Sequence, residues 1–244
     1  MPGVASVSAR SPIRRRSPPK SSALRGVRAI ILDFDGTLAS ATYDFDAMRR
    51  RVLALGARYG VPRRAIERMG VLETVQHIQG LLGRDGKRFR AEAEHAMREI
   101  ELEGAEGARI IPRALPALAR LKQAGFRVGV ITRNCSEVVE KILRGREMLC
   151  DCLLTRQNVN RVKPHPEHIR KALSLLGCPA KRAIMVGDHP MDMQAGKRAG
   201  VRTVGVLTGA GSRRQLLDSG ADLVVRSVSS LARLLLEQRS CGPE

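Results

Sequence analysis

The chain has 244 residues and a formal net charge of +19, enough length for one well-buried core and a small accessory domain. No apolar run approaches the length needed to cross a bilayer, so a soluble protein with no membrane partner is expected. The charge invites a nucleic-acid or acidic-membrane partner, yet no Trp and only two Tyr leave almost nothing to stack on bases.

Residues 1–26 are read as a disordered basic arm. The stretch Met1 to Arg28 has no acidic residue, carries Arg14-Arg15-Arg16 and is dominated by Ser, Pro and Arg, a composition that cannot build a core. A solvated tail is the plainest account. A transit peptide would share the composition, but Pro12 and Pro18-Pro19 would interrupt its amphipathic helix. A nucleic-acid-binding arm meets the shortage of aromatics already noted.

The apolar run Ala29-Ile30-Ile31-Leu32 predicts a buried strand that ends in Asp33-Phe34-Asp35-Gly36-Thr37. Side chains two apart on a strand share a face, which would put both carboxylates together, and Gly36 permits a sharp exit. Two like charges that close call for a counter-charge, and Mg²⁺ suits them as a hard cation that binds one or two carboxylates with water and phosphate oxygens.

From about Ala41 to Ala108 no strand is apparent. The segment reads as several helices punctuated by Gly60, Gly70 and Gly83, the first with an apolar stripe of Met48, Val52, Leu53, Leu55 and Tyr59. Asp44-Phe45-Asp46 repeats the Asp-Phe-Asp pattern without a strand before it, and is read as a hinge or helix start.

Beyond it, strands centred on Val128–Ile131, Cys152–Leu154, Ile184–Val186, Thr203–Val206 and Leu223–Val225 alternate with helices that stop at Gly125, Gly177, Gly200 and Gly220. This is the pattern of an α/β fold with a parallel sheet. Polar motifs follow three of these segments: Thr132-Arg133-Asn134; Lys163-Pro164-His165-Pro166; and Gly187-Asp188-His189-Pro190-Met191-Asp192. Ligands of open parallel sheets bind beyond the carboxyl ends of strands, where these motifs fall. The five cysteines form no zinc-like or redox pair, which suits a reducing compartment and a cytoplasmic protein.

In these four motifs and their order, from about Val27 to about Leu236, the sequence resembles the haloacid dehalogenase-like hydrolase superfamily, and within it the phosphoglycolate-phosphatase-like branch. The resemblance implies a Rossmann-like doubly wound parallel sheet over residues 27–40 and 109–244, with the first strand central. It also implies a small all-helical cap of the C1 type over residues 41–108.

By the same resemblance, Asp33 is the nucleophile that forms an aspartyl-phosphate, and Asp35 protonates the leaving group and then activates water. Mg²⁺ would take the Asp33 and Asp188 carboxylates and the Asp35 carbonyl. Asp192 would orient Lys163 or a metal-bound water. Thr132, Arg133, Asn134 and Lys163 would bind the phosphoryl group. Taken singly, Asp188 and Thr132 could be helix caps and Lys163 a solvated lysine; their joint occurrence in this order favours chemistry.

The function expected is therefore Mg²⁺-dependent hydrolysis of a small phosphomonoester. Asp35 separates this from a dehalogenase, which needs no acid for a halide. A phosphosugar mutase of the same fold shares the phosphoenzyme step and stays open, as does a non-enzymatic nucleic-acid-binding protein on the same scaffold. Arg49, Arg50, Arg51, Arg58, Arg63, Arg64, Arg84 and Arg88 in the cap segment suggest a second anionic group on the substrate, as in phosphoglycolate, or else a solvated helix face. Oligomeric state is not legible.

Overall fold

The computed structural model describes residues 22–62 and 69–240. Residues 1–21 of the basic arm, Arg63, Arg64 and Cys241 lie outside the described residues.

Strand β1 (Ala29–Asp33) is buried at all five positions. It pairs in parallel with β4 (Arg127–Ile131) on one side and β6 (Ala183–Gly187) on the other. Outside them lie β5 (Cys152–Leu154), β7 (Arg202–Val206) and β8 (Leu223–Val225), in the order β5-β4-β1-β6-β7-β8. The expected strands are all present, and β1 sits where strand order reverses, the point at which such sheets bind ligands. Register fixes the site's level: Asp33 pairs with Ile131 and Leu32 with Val186, so Thr132 and Asp188 emerge beside Asp33.

The strands read as continuous apolar runs because helices cover both faces. With a side-chain period of two, Ile30 and Leu32 join Val128, Val130, Ile184 and Val186 in one core with helices α4 (Ala114–Gln123), α5 (Ser136–Leu143) and α9 (Val228–Ser240). Ala29, Ile31 and Met185 face the other way, onto α6 (Glu167–Leu175) and α7 (Pro190–Ala199) through Ile169, Ala172 and Ala195. Each fully buried Ile or Leu of this kind stabilises the fold by about 1.5–3 kcal/mol. A short helix, α8 (Arg213–Asp218), precedes β8.

Between β1 and β4 stands an insert of three helices: α1 (Phe45–Arg58), α2 (Val71–Leu81) and α3 (Gly86–Gly104). A two-stranded antiparallel ribbon brackets it, with β2 (Ala39–Ser40) pairing to β3 (Arg109–Ile110). The insert has its own apolar centre, with Val52, Leu55, Val75, Ile78, Phe89 and Met97 buried together. Asp44 starts α1 as its N-cap, accepting from the Ala47 N–H at 2.7 Å, so the second Asp-Phe-Asp is a helix start. Ion pairs seat the insert on the sheet: Arg156, after β5, with Glu94 at 2.6 Å and Glu101 at 2.7 Å, and Arg133 with Glu73 at 3.1 Å. Among the described residues, no helix is long and apolar enough to cross a membrane.

Candidate active site

Asp33 closes β1, and the chain then turns sharply. Phe34 points into the core, fully buried, while its carbonyl accepts from the N–H groups of Leu38 and Ala39 at 2.8 and 3.0 Å. The turn requires a left-handed residue at Gly36, whose φ is +75°, and a Cβ there would run into the Asp188 carboxylate. The loop after β7 closes on the same acid: the Ala210 N–H donates to Asp188 Oδ2 at 2.9 Å, and a Cβ at Gly209 would also strike it. The loop after β7, through Gly209 and Gly211, is thus a close-packed cover over Asp188.

Lys163 comes from the loop before α6 and is buried. Its Nζ donates to Asp33 Oδ1 and, at 2.7 Å, to Asp192 Oδ1. The other Asp192 oxygen accepts from the His189 N–H at 3.0 Å, in a capping box that starts α7 with Pro190 at its head. Asp188 accepts from the Thr37 hydroxyl at 3.3 Å and from Ala210, and among the described residues no cation hydrogen-bonds to it.

Asp35 stands apart from this cluster. It accepts from Tyr43 Oη at 2.9 Å, Thr132 Oγ1 at 3.0 Å and Asn134 Nδ2 at 2.8 Å. Asn134 Nδ2 also donates to Tyr43 Oη at 2.7 Å, and the Asn134 N–H to Thr132 Oγ1 at 3.0 Å. The Thr132 hydroxyl and the Asn134 N–H, expected to reach a phosphoryl group, are therefore both engaged around Asp35. The Arg133 side chain turns to the insert, pairing with Glu73 while donating to the Lys163 carbonyl at 3.0 Å.

The electrostatics follow from crowding acids in a buried place. Burial holds Asp33 well above the usual carboxylate range; Lys163 opposes this, and Asp192, Asp188 and Asp35 add to it. Burial likewise raises Asp188, with Asp192 contributing. Burial raises Asp35 against the hydrogen bonds from Tyr43 and Thr132, which favour its charged form. Burial works to lower Lys163, but Asp192 and Asp33 hold it above its ordinary value. Asp33, Asp188 and Asp192 carry oxygens within 4.8 Å of one another, a hard, all-oxygen donor set short of positive charge. Such a set fits a small divalent cation.

The site opens into a cleft of about 890 Å³ between sheet and insert, which also holds Tyr43, Phe45, Arg49, Glu73, Glu101 and His189. Of the insert arginines named above that the structure describes, Arg49 lines this cleft, whereas Arg50, Arg51, Arg58, Arg84 and Arg88 are exposed. His168 is buried against the Thr155 carbonyl at 3.0 Å, away from the cleft. Cys135 packs in the core, its thiol pushed up to about 11 by burial. Sequence reasoning missed Tyr43 and Thr37. Tyr43 had one signal: it is one of two tyrosines in the chain and precedes the α1 cap.

The haloacid dehalogenase-like hydrolase family model matches residues 30–206. A protein named pyrophosphatase PpaX from Bacillus velezensis is 36% identical over 119 residues, which are 48% of this chain and 55% of that protein; the chain thus spans about half the length of the curated relatives it matches. Among solved structures, a predicted phosphoglycolate phosphatase from Haemophilus somnus superposes with a TM-score of 0.58 at 21% identity, covering 86% of this chain and 98% of that one. CbbY from Rhodobacter sphaeroides, in complex with phosphate, gives a TM-score of 0.54 at 23% identity over 84% of this chain and 96% of that one. The two structures share the fold described above, and the family match runs from β1 to β7, a stretch that includes Asp33, Asp35, Asp188 and Asp192: the chain belongs to the haloacid dehalogenase-like hydrolase family.

Proposed function

We propose that the chain is a Mg²⁺-dependent phosphatase that hydrolyses a small phosphomonoester through an aspartyl-phosphate. The observation that carries this reading is the division of labour between two aspartates two residues apart. Asp33 touches Lys163 and faces the acid cluster, whereas Asp35 is held off by Tyr43, Thr132 and Asn134.

In the first step an Asp33 carboxylate oxygen attacks phosphorus. The bond from phosphorus to the ester oxygen breaks, and Asp35 gives its proton to that oxygen, releasing an alcohol. Burial raises its pKa, the direction that an acid arriving protonated requires. In the second step Asp35 takes a proton from water as the water oxygen attacks phosphorus. Asp33 leaves as the carboxylate, with inorganic phosphate as product.

Lys163 holds positive charge against the phosphoryl oxygens throughout, oriented by Asp192. The Asp33 and Asp188 carboxylates and the Asp35 carbonyl would hold Mg²⁺, which when bound neutralises phosphoryl charge that one lysine cannot. Asp192 already has its charge matched by Lys163, so it serves as an orienting group rather than a ligand. Thr132 can donate to the phosphoryl group only by giving up its bond to Asp35. The three-helix insert, residues 41–108, acts as a cap that closes the cleft over the substrate, and residues 27–40 with 109–244 form the core.

Phosphate release from a panel of phosphomonoesters, with Mg²⁺ and with EDTA, tests the reading on the native chain and Asp33→Asn. Metal-dependent release by the native chain alone is expected. Release that persists in Asp33→Asn overturns the nucleophile, and transfer of phosphate to a sugar hydroxyl rather than to water would make the protein a mutase.

A further inference from the structure

We infer that the leaving group of the substrate is an uncharged, apolar alcohol and not a second acid such as glycolate; the inference rests on the phosphatase reading above and names the substrate class of that site. The leaving oxygen has to meet Asp35, and Tyr43 Oη lies 2.9 Å from Asp35. The Tyr43 ring meets Phe45 edge to face, with centroids 5.9 Å apart. Phe45, on the first turn of α1, is 63% exposed and lines the cleft. From Phe45 the wall continues through Met48, Val71, Leu72, Met97 and Met191. The methionines adapt to irregular apolar shapes.

Charge points the same way. Among the described residues, the cations of the cleft are Lys163, Arg133 and Arg49, and each already has a protein partner. Lys163 is held by Asp33 and Asp192, Arg133 by Glu73, and Arg49 donates to the Met69 carbonyl at 2.5 Å. A carboxylate on the leaving group would have to take Arg133 from Glu73 or share Arg49 with the Met69 carbonyl, in a cleft that also carries the acid Asp46. An apolar body asks for no such exchange and gains from leaving water.

Straight-chain alkyl phosphates from ethyl to hexyl test this, because the basicity of the leaving alcohol barely changes along the series. With the native chain and Mg²⁺, kcat/KM is expected to rise by up to about fourfold per methylene buried, and phosphoglycolate to fall below ethyl phosphate. Phe45→Asp is expected to flatten the rise. A flat series, or phosphoglycolate as the better substrate, overturns the inference. Calorimetric binding of ethyl- to hexylphosphonate to the Mg²⁺-loaded native chain separates the two claims. If nothing on the panel is hydrolysed, the phosphatase reading fails, and affinity that still climbs with chain length supports the apolar subsite while flat affinity overturns it.

Discussion

Arg156 Nη1 reaches both oxygens of Glu101, at 2.7 and 2.8 Å, and so pins helix α3 of the insert to the loop after β5. Both side chains are buried, and Nε takes Glu94 at 2.6 Å. Burial keeps Glu101 above the usual carboxylate range even with Arg156 pulling it down. Buried pairs of this sort roughly break even against desolvation while intact, and breaking one leaves a bare buried charge. Arg156→Met is therefore expected to cost about 3–5 kcal/mol, and Arg156→Met with Glu101→Leu to recover most of it. Urea denaturation of the native chain and the two variants checks this; an equal loss in the double variant would assign the cost to packing.

Asp33→Asn tests the site from the other side. Loss of the nucleophile should reduce turnover by about 10⁴-fold or more. The substitution also removes one of several buried like charges, so thermal stability is expected to hold or rise. Phosphate release and a melting curve on the same preparation read both; loss of activity together with unfolding would strip the result of its meaning for the nucleophile.

The sheet was legible because β1, β4 and β6 are buried on both faces and so appear as unbroken apolar runs. The motif residues were legible because each directly follows such a run or a loop bound to one. What escaped was decided by tertiary contact. The β2–β3 ribbon has two residues per strand, too few to show a period. The arginines of the insert could be counted but not aimed: Arg49 neighbours the buried Met48 and lines the cleft, whereas Arg50 and Arg51 turn to solvent. Thr132 could be placed beside Asp33 by topology, yet only the folded loop shows its hydroxyl on Asp35.

Tyr43→Phe probes the support of Asp35. The Tyr43 hydroxyl donates to Asp35 and accepts from Asn134, and its bond favours the ionised form of Asp35. Without it Asp35 should hold its proton to higher pH. The alkaline limb of the kcat profile, where the general acid is lost, is then expected to move upward, with kcat reduced about tenfold, in line with about 1–1.5 kcal/mol for one hydrogen bond. An unmoved limb would show that Asp35 is not the acid that sets it.

His168 should govern part of the acid sensitivity of the fold. It is fully buried, its Nε2 lies 3.0 Å from the Thr155 carbonyl and its Nδ1 has no hydrogen-bond partner among the described residues. Burial pushes its pKa down to about 4, against about 6.5 in an unfolded chain. Between those two values the unfolded chain binds a proton that the folded chain refuses, so stability falls as pH falls through that window and is unaffected above it. At pH 5 the loss amounts to about 2 kcal/mol relative to pH 7.5. His168→Leu gives up the bond to Thr155 and should be less stable than the native chain at pH 7.5, by about 1 kcal/mol. The further loss on going to pH 5 should shrink by about 2 kcal/mol. Urea titrations at the two pH values measure both differences. A pH dependence that survives the substitution intact would move the acid sensitivity from His168 to other groups, with His165, whose pKa burial also lowers, next in line; the carboxylates around Lys163 are raised in the fold and would act in the opposite direction.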